Sequence, residues 1–100
     1  MLFFSKTPKK ILVIDDDASM RRLLNARLKR NSDWQVLQAA TGRSGLDAAD
    51  SHRPDVIILD WLLPDIDGPD VLKQLKRQAH TRQTPVMMLT GRSTIGDIED

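Results

Sequence analysis

Aspartate residues follow two of the most apolar segments of this 100-residue sequence. Asp15 and Asp16 come directly after the apolar run 11–14, and Asp60 follows the run 56–59. Runs of this kind indicate strands that are buried on both faces of a sheet. If the strands are parallel and joined by right-handed crossovers, their carboxyl ends share one edge of the sheet. With strand order 2-1-3-4, the three carboxylates would meet where the order reverses, which is where such sheets bind ligands.

Three carboxylates in one crevice repel each other unless a cation lies among them. The ligands available are all oxygens, which favours Mg²⁺, because this ion binds one or two carboxylates and accepts phosphate oxygens as further ligands. A carboxylate can also be the nucleophile that takes a phosphoryl group. The hydroxyl of Thr90, after the fourth apolar run, would help to stabilise the phosphoryl oxygens during transfer. The residues therefore indicate a phosphoryl acceptor, Asp60, beside a metal ligand, Asp16.

Some of these residues also have plainer interpretations. The three aspartates at 15–17 are suited to capping the helix that follows, and Asp17 is interpreted as a cap or a surface residue. Thr90 could be an ordinary hydroxyl at the end of a strand. Asp65 and Asp67 are interpreted as loop or helix-start residues, since Asp67-Gly68 is a turn signal.

The order of apolar runs and helically periodic segments predicts an α/β fold, a doubly wound parallel sheet with strand order 2-1-3-4. Met87 and Met88 are both predicted to lie in the core. The predicted strands are 11–14, 34–39, 56–59 and 85–89; the predicted helices run over about 18–30, over 42–51 and from about Val71 to Gln78, with a last helix beginning at Ile95 and Ile98.

Composition narrows the classes of function. The absence of cysteine excludes disulfides, thiol catalysis and thiolate metal sites. A net charge of +1 gives no general attraction to nucleic acid or to anionic membranes. No stretch is long and apolar enough for a signal peptide or a membrane span, so we expect a soluble, cytoplasmic protein. Basic residues on the first helix indicate a solvated face or, alternatively, a surface on which a kinase docks: Arg21, Arg22, Arg27, Lys29 and Arg30.

Three blocks of sequence, taken together, resemble the receiver domain of two-component response regulators, which has a flavodoxin-like fold. They are Ile-Leu-Val-Ile-Asp-Asp-Asp at 11–17 with Met-Arg-Arg at 20–22, the segment 55–68 around Asp60, and Pro-Val-Met-Met-Leu-Thr-Gly at 85–91. The blocks occur in the same order as in the family and at suitable spacing. The resemblance covers essentially residues 9–100.

The resemblance implies that Asp60 accepts a phosphoryl group from a histidine kinase or a phosphotransfer protein, in a Mg²⁺-dependent reaction. It implies that Asp16 binds the ion directly and that Asp15 does so mainly through water. Asp60 and the backbone carbonyl of Leu62 are the other metal ligands that it implies. The apolar side chain of Leu62 beside the site would slow hydrolysis of the phosphorylated form.

The resemblance also implies that Thr90 is the switch hydroxyl, which moves toward the phosphoryl group. It implies that the small Gly91 leaves the acceptor open to a bulky phosphohistidine donor. Receiver domains continue into a fifth strand, which ends in a lysine that bridges the phosphoryl group and the acceptor, and a fifth helix. Residues 91–100 contain no lysine, and no spacing argument lets Arg92 take its role.

We therefore expect a single receiver domain over residues 1–100, incomplete at its C-terminal end. Strand four would then be an exposed edge, at which a second copy could pair to form a homodimer. The sequence leaves open a shortened chain, a chain completed by dimerisation and a naturally reduced receiver.

Three functions compete. The first is a phosphorylatable signalling module, which catalyses at most its own phosphorylation and dephosphorylation. The second is a receiver-like interaction domain that is not phosphorylated, which the missing lysine favours. The third is a phosphatase or phosphotransferase with an aspartate nucleophile, and it is weakened because Trp61 and Leu62 leave no general acid beside Asp60.

Overall fold

The described residues, 9–30 and 33–89 of the computed structural model, form alternating strands and helices. The elements are β1 (Lys9–Ile14), α1 (Ala18–Leu28), β2 (Trp34–Ala39), α2 (Gly42–His52), β3 (Val56–Asp60), α3 (Gly68–Arg77) and β4 (Val86–Leu89). The predicted strands and the first two helices are present, with ends within two residues of the prediction, and α3 also ends within one residue of its predicted end. Thr90, Gly91 and the predicted last helix lie outside the described residues.

The strands form one parallel sheet in the order β2-β1-β3-β4, which confirms the predicted topology. From β1 the chain moves to one side of the sheet to add β2, and then to the other side to add β3 and β4. The order therefore reverses between β1 and β3. Ile14 is paired with Leu59 at the carboxyl end of these two strands, so the residues that follow them share one crevice.

The main core lies between the sheet and the two helices α2 and α3. Because alternate residues of a strand point to opposite faces, Leu12 and Ile14 face this core whereas Ile11 and Val13 face the other side. All four are buried, which explains the unbroken apolar run of β1. The buried members of the main core are Leu12, Ile14, Ala39, Leu46, Ala49, Ile57, Leu59, Leu63, Val71, Leu75 and Met88.

The opposite face of the sheet packs against α1 and is covered less completely. Helix α1 has no buried residue. A groove of about 430 Å³ lies on this face, and Leu28, Trp34 and Met87 are among its lining residues. The prediction that Met87 and Met88 both lie in the core is wrong for Met87, which is 56% exposed. Adjacent strand residues point to opposite faces, so only Met88 reaches the main core.

Helix α2 lies unusually close to β1. A Cβ added at Gly45 would come within 2.6–2.8 Å of three side-chain atoms of Ile14. Glycine therefore permits this contact, although it lowers helix propensity. The helix begins with a capping box, in which Ser44 N donates to Thr41 Oγ1 and Thr41 N donates to Ser44 Oγ.

Candidate functional site

The loop from β1 to α1 is held by hydrogen bonds from both of its ends. Asp15 is buried, with 6% of its surface exposed, and its N–H donates to the carbonyl of Ala39 at 3.0 Å. Its carboxylate accepts from the N–H of Asp17 at 2.9 Å. Asp17 in turn caps α1, since its carboxylate accepts from the N–H groups of Ser19 and Met20. This confirms the interpretation of Asp17 as a cap and leaves Asp16 exposed between two fixed residues.

Arg21 also contacts this loop, and the sequence analysis did not foresee it. Its Nη1 donates a hydrogen bond to the backbone carbonyl of Asp15 at 2.8 Å. Arg21 is half-buried, whereas a solvated face or a kinase-docking surface was expected for the basic residues of α1. The signal available in the sequence was its position near the start of α1, where the helix dipole disfavours a cation.

The end of β3, on the other side of the crevice, is also fixed by backbone hydrogen bonds and close packing. Asp60 is 6% exposed and is paired with Leu89 of β4. The next residue, Trp61, donates its N–H to the carbonyl of Leu89 at 2.7 Å and accepts from the N–H of Gly68 at 2.8 Å. A Cβ at Gly68 would collide with the carbonyl oxygen of Asp60 and lie 2.8 Å from backbone atoms of Trp61. The first residue of α3 is therefore packed directly on the backbone at Asp60.

The carboxylates of Asp15, Asp16 and Asp60 come together at this crevice. Each offers an oxygen, and these oxygens lie within 4.8 Å of one another. In octahedral Mg²⁺ coordination, with bonds of 2.0–2.1 Å, opposite ligands are roughly 4.2 Å apart. Three hard oxygen ligands, two of them buried and one exposed to entering ions, fit that cation. The structure thus brings together the three aspartates that the sequence predicted.

The other predicted site residues have different outcomes. Leu62 lies in the loop after β3, and its side chain is 40% exposed; its carbonyl remains a predicted ligand. Thr90 and Gly91 fall outside the described residues, so the switch hydroxyl and the open access at Gly91 remain predictions too.

Asp65 joins the loop after β3 to the start of α2, a contact that the sequence did not indicate. Its carboxylate accepts hydrogen bonds from Gly42 N at 2.7 Å and Arg43 N at 2.9 Å. These are the first two N–H groups of α2, which have no partner within the helix. The hydrogen bonds from Arg43 and Gly42 lower the pKa of the Asp65 carboxyl below its usual value of 3.8.

We expect Asp65→Asn to lower stability at neutral pH and to have a diminishing effect in acid. A carboxyl group whose folded-state pKa is lowered stabilises the fold above its unfolded pKa, and this contribution is lost as pH falls through the lowered value. The difference in urea midpoint between the wild type and Asp65→Asn should therefore be constant above pH 5 or so and shrink below 3.8. Asp70→Asn, an exposed aspartate in the first turn of α3, is the control. A difference that persists unchanged into strong acid would contradict this account.

A doubly wound parallel sheet with an acidic cluster at its switch point defines a flavodoxin-like protein of the receiver class. The family model described as "Response regulator receiver domain" matches residues 11–100. The chain belongs to the response regulator receiver domain family.

Curated relatives agree with this assignment. The chain is 43% identical, over 84% of its length, to the alkaline phosphatase synthesis transcriptional regulatory protein PhoP of Bacillus subtilis, and the match covers 34% of that protein. It is 39% identical, over 92% of its length, to the phosphate regulon transcriptional regulatory protein PhoB of Klebsiella pneumoniae, covering 38% of it. The chain thus spans about a third of the length of these relatives.

Solved structures have the same fold. The chemotaxis response regulator CheY4 of Vibrio cholerae has a TM-score of 0.80 and 34% identity, over 88% of this chain and 72% of that one. The receiver domain of a sensor histidine kinase from Pseudomonas aeruginosa PAO1, solved with a magnesium ion coordinated in its active site cleft, has a TM-score of 0.80 and 27% identity, over 90% and 73%. Among the described residues, no helix has both the length and the apolar character needed to cross a bilayer.

Proposed function

We propose that this chain, as a single receiver domain over residues 1–100, accepts a phosphoryl group on Asp60 from a histidine kinase or a phosphotransfer protein. The observation that carries the proposal is the convergence of Asp15, Asp16 and Asp60 at the switch point of the sheet, with their oxygens within 4.8 Å. Membership of the receiver family supports the same role.

The same residues would hold Mg²⁺. Asp16 and Asp60 would bind the ion directly, Asp15 would bind it mainly through water, and the backbone carbonyl of Leu62 would be a further ligand. The bound ion would offset the repulsion among the carboxylates and the negative charge on the phosphoryl oxygens. The magnesium-containing structure of a related receiver domain supports this choice of metal.

In the proposed reaction, a carboxylate oxygen of Asp60 attacks phosphorus in line with the leaving group. The bond between phosphorus and the donor's histidine nitrogen breaks, and that nitrogen keeps the electron pair. Asp60 then carries the phosphoryl group as an acyl phosphate, and attack of water on phosphorus later restores the carboxylate and releases inorganic phosphate. The hydroxyl of Thr90 would donate to a phosphoryl oxygen, and Gly91 would leave room for the donor imidazole.

The proposal includes the partners and the location of this domain. The relatives are named as transcriptional regulatory proteins. We propose no direct contact with nucleic acid by this domain, because a net charge of +1 gives no general attraction to it. We propose a cytoplasmic location and no membrane partner. Pairing of two copies through the edge of β4 remains a prediction, to be checked by ultracentrifugation across a range of concentrations.

The test is incubation of the protein with Mg²⁺ and a small acyl-phosphate donor, followed by intact mass measurement and peptide mapping. We expect the gain of one phosphoryl group, at Asp60, that is lost when Mg²⁺ is chelated. A folded sample that takes up no phosphoryl group would instead favour an interaction domain that is not phosphorylated. Continued release of phosphate from an ester substrate would favour a phosphatase.

A further inference from the structure

The hydrogen-bond ladder between β1 and β2 is interrupted where the acidic loop begins. Asp15 N donates to the carbonyl of Ala39 at 3.0 Å. In a parallel ladder, the residue that makes this bond also accepts from the N–H two positions further along the neighbouring strand, here that of Thr41. Thr41 N instead donates to Ser44 Oγ at 3.2 Å, as part of the cap of α2. The carbonyl of Asp15 therefore needs a donor from elsewhere.

Arg21 supplies that donor from the first turns of α1. Its Nη1 lies 2.8 Å from the carbonyl oxygen of Asp15, a residue that is only 6% exposed. Buried backbone carbonyls are nearly always paired. The hydrogen bond from Arg21 therefore takes the place of the one that the β1–β2 ladder lacks. The peptide group that contains the carbonyl of Asp15 also contains the N–H of Asp16, and it is planar. A bond that fixes the carbonyl therefore also fixes the start of Asp16.

We infer that Arg21 is a positioning residue for the divalent-cation site, which orients the peptide between Asp15 and Asp16 so that the carboxylate of Asp16 faces Asp60. The inference rests on the proposed function of the same site. The hydrogen bond from Arg21 and the cluster of the three carboxylates are the two observations that carry it.

The charge of Arg21 and its positioning role predict opposite effects on the affinity for Mg²⁺ when the side chain is removed. The guanidinium is always protonated, and a positive charge near the carboxylates opposes the binding of a cation. Loss of that charge alone would tighten Mg²⁺ binding. Loss of positioning would weaken it, and changes to groups that orient metal ligands typically cost 10–100-fold in affinity. The sign of the change therefore separates the two effects.

The experiment compares Arg21→Met with Arg22→Met by calorimetric titration of the protein with Mg²⁺. Arg22→Met is the matched control, because it removes the same charge from the adjacent position. Among the hydrogen bonds of the described residues, the side chain of Arg22 makes only one, from its Nη2 to the hydroxyl of Ser19 at 3.2 Å. We expect the Kd for Mg²⁺ to rise about ten-fold in Arg21→Met and to stay the same or fall in Arg22→Met. In the metal-free protein, amide exchange at Asp17, which is bonded to Asp15 Oδ1, should be faster in Arg21→Met alone.

The results of this experiment separate failure of the inference about Arg21 from failure of the proposed function. If the wild type binds no Mg²⁺, the proposed function itself is wrong. If the wild type binds Mg²⁺ and Arg21→Met binds it as tightly as Arg22→Met does, Arg21 has no positioning role. Should Arg21→Met not fold, Arg21→Gln removes the charge and shortens the side chain, and unchanged affinity in that variant would overturn the inference equally.

Discussion

Asp60→Asn is expected to abolish phosphorylation of the protein, whereas Asp67→Asn should leave it unchanged. An amide has nearly the shape of a carboxylate, so it can occupy the buried position of Asp60, but its oxygen is far too weak a nucleophile to attack phosphorus. Asp67 is the matched control, since it is exposed and its side chain makes no capping hydrogen bond to α3. Intact mass after incubation with Mg²⁺ and an acyl-phosphate donor measures both variants.

The same labelling experiment on Asp16→Ala tests the proposed metal site. Asp16 is exposed, so its removal should cost little stability, but it removes a charged oxygen from the cluster with Asp15 and Asp60. We expect the Mg²⁺ concentration for half-maximal labelling to rise at least ten-fold, while labelling at saturating Mg²⁺ falls less. Stoichiometric labelling of folded Asp60→Asn would show that another residue is the acceptor. A Mg²⁺ dependence unaltered in Asp16→Ala would remove that residue from the proposed metal site.

The topology and the acidic cluster were predictable because both follow from which residues are buried. Residues 11–14 of β1 are buried on both faces of the sheet, so they form an unbroken apolar run. The residue that follows them must lie at the carboxyl end of the strand. The same argument fails for Met87. It lies in an apolar run as well, but on the face covered only in part by α1, and a run of apolar residues does not reveal which face has a helix packed on it.

The contacts that orient the site were not predictable, because they are made by side chains that have no periodic pattern. Asp65 bonds to N–H groups that lie 22 and 23 residues earlier in the chain. The role of Arg21 depends on an interruption of the β1–β2 ladder, which arises because Thr41 caps α2 and donates its N–H to Ser44 Oγ. In both cases a backbone group left unpaired at the end of one element is satisfied by a side chain from another, and that match exists only in the folded chain.

Gly68→Ala is expected to destabilise the protein by about 1–3 kcal/mol, the usual cost of inserting a methyl group into a packed site. The obstacle is backbone, the carbonyl of Asp60 and atoms of Trp61, which cannot change rotamer to make room. In helix interiors alanine is favoured over glycine by roughly 1 kcal/mol. Any effect of propensity at Gly68, the first residue of α3, would therefore have the opposite sign to the expected loss. Urea denaturation measures it, with Lys73→Ala on the exposed side of the same helix as a control, expected within about 0.5 kcal/mol of the wild type.

The same substitution should also weaken Mg²⁺ binding, because it acts on the segment that carries two proposed ligands. Gly68 N donates to the carbonyl of Trp61, so a displaced α3 moves the backbone between Asp60 and Leu62. We expect a higher Kd for Mg²⁺ in the folded fraction of Gly68→Ala and an unchanged value in Lys73→Ala. Wild-type stability in Gly68→Ala would mean that the contact between α3 and Asp60 is looser than the structure has it. Lowered stability with wild-type Mg²⁺ affinity would mean that this contact supports the fold without setting the geometry of the metal ligands.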